Sequence, residues 1–140
     1  MNFTDLTDKT IIVTGSSGFL GSYVLHELNL IGCTVIRLGE HSYDQDPSLS
    51  RLNIIEIVGS LSATEIWQKT LENNPVDYIF HLAAQTSFYK AEADPAWEFE
   101  CNVKPLLALL EACKKNKQIT RHYSYRNGQP IWPYRRSSCC

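Results

Sequence analysis

The chain has 140 residues, 44% of them hydrophobic, and a formal net charge of −2. That length supports one domain around a modest core, and the near-neutral charge argues against nucleic acid or an anionic membrane as partner. No apolar run is long enough to span a bilayer, and the opening MNFTDLTDKT has neither the basic flank nor the apolar centre of a secretion signal, so cytoplasmic residence is the expectation.

Strand-like and helix-like segments alternate along the chain. KTIIVTG, residues 9–15, is a short β-branched run closed by Gly15, as expected of a buried strand. From Phe19, apolar residues recur at Leu20, Val24, Leu28 and Ile31 on one helical face, and Gly32 is placed to end that helix. CTVIRL, residues 33–38, is a second strand, and the polar, turn-rich residues 39–50 are a loop. NIIEIV, residues 53–58, is a third strand. SATE at 62–65 then has capping-box spacing, with Ser62 serving the Glu65 N–H, the Glu65 carboxylate reaching back, and Leu61 and Ile66 stapled around it. The helix it opens should end near Asn73, because Pro75 bars continuation. VDYIFHLAA, residues 76–84, is a fourth strand. Asp94 caps a further helix with Pro95 at its first position, and Pro105 should kink or divide it. This order predicts an α/β fold: a parallel sheet with helices on both faces, its strands ordered 3-2-1-4 by right-handed crossovers.

Three glycines, Gly15, Gly18 and Gly21, separate the first strand from the first helix. Gly15 allows a sharp turn, Gly18 allows backbone to approach a ligand, and Gly21 allows the helix to pack tightly. The turn presents free N–H groups at the positive end of a helix dipole, which suits a pyrophosphate, and Ser16 and Ser17 could add hydroxyls. The motif follows a strand and opens a helix, the context that gives it meaning. The five cysteines, Cys33, Cys101, Cys113, Cys139 and Cys140, lack metal-ligand spacing, and the first three sit in apolar patterns as small core residues. No metal site is expected.

With T-G-x-x-G-x-x-G at 14–21, HLAAQTS at 81–87, DPAWEFECNV at 94–103 and LLALLEACKKN at 106–116, residues 9 to about 117 resemble the extended short-chain dehydrogenase/reductase family. These are the NAD(P)-dependent nucleotide-sugar epimerases and dehydratases. The resemblance implies a Rossmann-like three-layer sheet, here incomplete, over residues 1–118, and a cofactor that is NAD, with NADP as the alternative. It implies that Gly15, Gly18, Phe19, Leu20 and Gly21 cradle the pyrophosphate. Ala83, Ala84 and Gln85 would line the cofactor beside ribose and nicotinamide, and Asn102 would be the family's helix asparagine near the active site. Asparagine is a poor interior helix former, so Asn102 needs such a reason. His81 reads instead as a core histidine at a strand end.

Two positions depart from the family pattern. Its acidic residue after the second strand, which binds the adenosine ribose, is replaced by Gly39. Glu40 could take that role, or Arg37 or His41 could meet a 2′-phosphate; the balance leans to NAD. The usual Asp near the adenine amine is Ser60, followed by Leu61. The family's acid/base pair, Tyr-x-x-x-Lys, is absent: Tyr78, Tyr89, Tyr123, Tyr125 and Tyr134 all lack the lysine. No catalytic residue is assigned, and the expectation is an inactive portion of a protein whose full-length relatives act on a nucleotide sugar. A non-catalytic dinucleotide-binding module and a non-functional truncated product are the alternatives.

Residues 119–140 form an atypical tail. A central parallel strand should be continuously apolar, yet Arg121, His122, Ser124 and Arg126 interrupt this one, so residues 119–125 are expected at best as an edge strand with Ile119, Tyr123 and Tyr125 on one face. One hypothesis is a shifted reading frame: moved by one base, the codons of Trp132-Pro133 begin with a glycine codon, and permissible codons give a β-branched strand with a Thr-rich end. Sequencing the coding DNA tests it, and the absence of a family-like frame downstream would end it.

Overall fold

Side chains of the first strand leave on alternate faces into two separate cores, which is why its centre, Ile11 to Val13, is continuously apolar. β1 (Thr10–Thr14) sends Ile11 and Val13 into one core and Ile12 into the other, and β2 (Thr34–Gly39) divides Val35 from Ile36 and Leu38 in the same way. Burial on both faces requires cover on both faces. Leu25 and Leu28 of α1 (Phe19–Ile31) supply it on one side. On the other, Trp67 and Leu71 of α2 (Thr64–Asn73) pack with Ala108, Leu109 and Ala112 of α5 (Lys104–Lys115). This computed structural model describes residues 6–44, 46–116, 121–126 and 129–131, the last two segments by backbone alone.

β3 (Asn53–Val58), β4 (Tyr78–His81), β5 (Arg121–Arg126) and β6 (Gln129–Ile131) complete a sheet ordered β3-β2-β1-β4-β5-β6. The pairings from β3 through β5 are parallel and that of β5 with β6 is antiparallel. The expected 3-2-1-4 order with a fifth strand is therefore what forms. One detail differs: β5 is not an edge strand. Its backbone pairs with β4 from Tyr78↔Arg121 to His81↔Ser124 and with β6 on its far side, so the edge passes to β6. Ile119, the facing of Tyr123 and Tyr125, and everything from Trp132 onward, including Cys139 and Cys140 and the reading-frame hypothesis, lie outside the described residues.

The helix ends follow local chemistry, with one exception. Gly32 closes α1 in the left-handed region at φ 75°, its N–H donating to the Leu28 carbonyl. Asp94 caps α4 (Pro95–Asn102) by accepting from the Trp97 N–H at 2.9 Å, after the short α3 (Phe88–Ala93). The chain breaks at Val103, so Pro105 stands in the first turn of a separate α5. The capping box at 62–65 does not form: α2 starts at Thr64, with Ala63 before it and no side-chain cap. Tertiary contacts hold that entry instead, the Trp67 indole N–H donating to the Leu61 carbonyl at 2.8 Å and the Ser62 hydroxyl to the Glu100 carbonyl at 3.4 Å. Among the described residues no helix is long and apolar enough to cross a membrane.

Candidate functional site

Parallel strands bring their C-terminal ends to one edge of the sheet, and the loops leaving those ends carry nearly every residue singled out in the sequence. After β1 the chain turns at Gly15, whose φ of +64° only glycine adopts without strain. The turn is closed by the Gly18 N–H donating to the Gly15 carbonyl at 3.0 Å. Gly21 then passes so close that a Cβ there would stand 2.1 Å from the Gly15 carbonyl oxygen. Gly15 itself abuts the end of β4, since its Cβ would meet the Ala83 nitrogen at 2.6 Å. The turn after β1 and the loop after β4 are thus pressed together, backbone on backbone.

α1 opens at Gly18 without a side-chain cap and without an acidic residue in its first turn. Its positive end is left for a ligand or solvent to satisfy. Ser17, Gly18, Phe19 and Leu20 are exposed around it. Ser16 differs from the expectation: its side chain is buried and its hydroxyl oxygen accepts from Arg37 Nε at 3.1 Å, so it points into the protein rather than toward the mouth of the turn.

Thr14, at the end of β1 and the head of the T-G-x-x-G-x-x-G motif, ties the two loops together. Its hydroxyl oxygen accepts from the Leu82 and Ala83 N–H groups, both at 3.1 Å, and lies 2.9 Å from His81 Nδ1. His81 is buried against the edge of the Trp67 ring, in keeping with a core histidine. The sequence marks it by its place at the head of the glycine motif, where a hydroxyl follows the apolar run Ile11 to Val13.

Asn102 grips the same loop from α4. Its Oδ1 accepts from the Gln85 N–H at 2.7 Å, and its Nδ2 donates to the Gln85 carbonyl at 2.9 Å and to Glu98 Oε1 at 2.6 Å. An amide side chain thus pairs with the N–H and C=O of one residue as a neighbouring strand would. The Gln85 side chain turns back on Ser87, bonding its N–H and carbonyl. Replacing Asn102 with leucine leaves the Gln85 N–H and C=O and Glu98 Oε1 without it, and is expected to destabilise the fold by about 2 kcal/mol. Urea unfolding checks this.

At the ends of β2 and β3, Glu40 and Ser60 come together, the Ser60 hydroxyl donating to Glu40 Oε1 over 3.4 Å. Leu61 is buried in the core, so only its neighbourhood to Ser60 keeps it at the site. Gly39 has its own explanation: a Cβ there would stand 2.9 Å from Tyr43 Oη. Arg37 is 7% exposed, bonded to Ser16, 3.4 Å from Glu56 Oε1 and stacked on the Tyr43 ring, rather than reaching out as the alternative to Glu40 required. Burial pushes the Cys33 and Cys113 thiols up to about 11, and desolvation, then the Glu40, Glu98 and Glu100 carboxylates, raise Cys101. These thiols stay protonated at neutral pH and offer no nucleophile. Among the described residues no cluster could hold a metal ion.

A glycine turn opening a helix at the C-terminal edge of a parallel 3-2-1-4 sheet defines an α/β unit of the dinucleotide-binding class. Residues 11–125 match the NAD dependent epimerase/dehydratase family, and the chain belongs to that family. It is 29% identical over 113 residues to UDP-glucuronate 4-epimerase 3 of Arabidopsis thaliana, a match covering 75% of this chain and 26% of that protein. Among solved structures, UDP-glucose 4-epimerase of Thermotoga maritima, crystallised with UDP-glucose, superposes with a TM-score of 0.69 at 30% identity, covering 82% of this chain and 37% of that one. The Bifidobacterium longum UDP-glucose 4-epimerase in complex with NAD+ and UDP shares the fold, with a TM-score of 0.69 at 20% identity over 80% of this chain and 36% of that one. The chain spans about a quarter to a third of the length of these relatives.

Proposed function

We propose that residues 1–118 are the NAD-binding part of a nucleotide-sugar epimerase/dehydratase-like protein, and that this chain alone does not turn over substrate. The observation that carries the reading is the uncapped start of α1 behind a turn so tight that Gly15 and Gly21 admit no side chain. Amides there would hold the pyrophosphate. Glu40 would take the adenosine ribose, Ser60 with Leu61 the adenine, and Ala83, Ala84 and Gln85, held by Thr14 and Asn102, the nicotinamide half. The inward commitment of Arg37 supports NAD over NADP. NAD, when bound, accepts a hydride from the substrate and returns it. The relatives named above are UDP-sugar epimerases, which supports a nucleotide sugar as the substrate of the whole protein. The 140 residues hold no Tyr-x-x-x-Lys to move the proton.

The test is a thermal-shift titration with NAD, paired with a turnover assay on UDP-sugars. Millimolar NAD is expected to stabilise the chain by about 1–3 kcal/mol through mass action, with no epimerised or dehydrated product. Absence of any stabilisation refutes the binding claim, and product formation refutes the inactivity claim.

A further inference from the structure

Arginine is out of place in β2, where Val35, Ile36, Leu38 and Gly39 are all buried. A guanidinium held at 7% exposure needs partners to offset its lost hydration. Those it has are unevenly charged. Nε donates to the Ser16 hydroxyl at 3.1 Å, and Ser16 is itself 2% exposed, so water is kept from that bond. The paired carboxylate, Glu56, lies 3.4 Å from Nη1 with a side chain 34% exposed, and Asp46, which also feels Arg37, is exposed, so solvent screens both better than it screens Arg37. Tyr43 contributes only its ring face, 4.2 Å from the guanidinium carbon. A positive charge therefore sits directly against Ser16, inside the turn between Gly15 and Gly18, while the carboxylates that answer it are partly or fully exposed to solvent.

We propose that Arg37 is an electrostatic positioning residue for the phosphate-binding turn, fixing Ser16 and lending its charge to a pyrophosphate seated above without touching it. This rests on the dinucleotide reading above and extends it. Charges separated by weakly screening protein interact over several ångströms, so contact is not required. The same geometry keeps Arg37 from reading a ribose 2′-phosphate, because its Nε, Nη1 and one face are engaged inward.

Calorimetric titrations of the full chain with NAD+, NADP+, ADP and adenosine test this in three forms: wild type, Arg37→Met and Glu56→Gln. Arg37→Met should bind NAD+ and ADP about tenfold more weakly and adenosine unchanged, with the NADP+ to NAD+ ratio unaltered. Glu56→Gln removes the counter-charge and should tighten NAD+ and ADP about threefold, the opposite sign. A purely structural network gives another pattern: both variants weaken every ligand, adenosine included, and that result overturns the proposal. A selective loss of NADP+ in Arg37→Met also overturns it. Should Arg37→Met fail to fold, Glu56→Gln decides alone, since unchanged or weaker NAD+ binding contradicts the proposal. A wild-type chain that binds none of the four ligands removes the dinucleotide reading itself, and this inference with it.

Discussion

Gly21→Ala is expected to destabilise the protein by about 3 kcal/mol and to abolish NAD binding, although alanine is the better helix former. At an open helix position the exchange would stabilise by about 1 kcal/mol. Here the new Cβ would lie 2.1 Å from the Gly15 carbonyl oxygen and 2.7 Å from the Ser16 Cα, both backbone atoms that cannot swing aside. Either the start of α1 lifts off the turn or the turn itself opens. Both outcomes spread the amides that would converge on a pyrophosphate. Gly32→Ala is a useful control, because its Cβ would meet nothing nearer than 3.8 Å and its cost comes only from a φ of +75°. That strain is about 1 kcal/mol, and NAD affinity should be kept. Urea midpoints with NAD calorimetry measure both variants. A Gly21→Ala protein as stable as wild type, or more so, would mean that helix propensity governs this position and the packing does not.

Thr14→Val should cost about 3 kcal/mol, a large part of the stability of so small a domain. Valine keeps the shape of threonine, so packing in the fully buried site is little changed. What goes is one oxygen with three partners: the Leu82 N–H, the Ala83 N–H and His81 Nδ1. Leaving polar groups unmet in a place closed to water costs more than the hydrogen bonds contribute when formed. Thr14→Ser keeps the oxygen and removes a methyl, for about 1 kcal/mol. Amide exchange should quicken at Leu82 and Ala83 in Thr14→Val and stay near wild type in Thr14→Ser. Equal stability of the two variants would show that the methyl, and not the hydroxyl, holds β1 to the loop after β4.

The contrast between these positions explains how far the sequence could be read. The sheet type followed from local rules, because continuous apolar runs such as Ile11 to Val13 imply burial on both faces, as in a covered parallel sheet. Gly15 and Gly21 announced the turn, since a glycine at each end of a strand-to-helix junction implies both a positive φ and a close approach. Asp94 with Pro95 announced a cap that forms, and Pro105 a break that falls two residues earlier at Val103. Long-range partners were not legible. Ser62 and Glu65 have the spacing of a capping box, but Trp67 and Glu100 claim the surrounding groups and the helix starts later. Thr14 and Arg37 gain their roles from hydrogen-bond partners 19 to 69 positions away, which no window along the chain contains. Asn102 stood out as a poor helix former, but that its partner would be the Gln85 backbone follows only from how α4 lies against the loop.

The account depends on anion-accepting amides at the start of α1, and an amide-resolved NMR titration of the folded chain with NAD observes them one by one. Saturable shifts are predicted for the amides of Ser16 to Gly21, with smaller ones at Ala83 to Gln85 and at Glu40, all fitting a single affinity. Shifts confined to residues away from this edge of the sheet, or none at millimolar NAD in a well-folded sample, would contradict it.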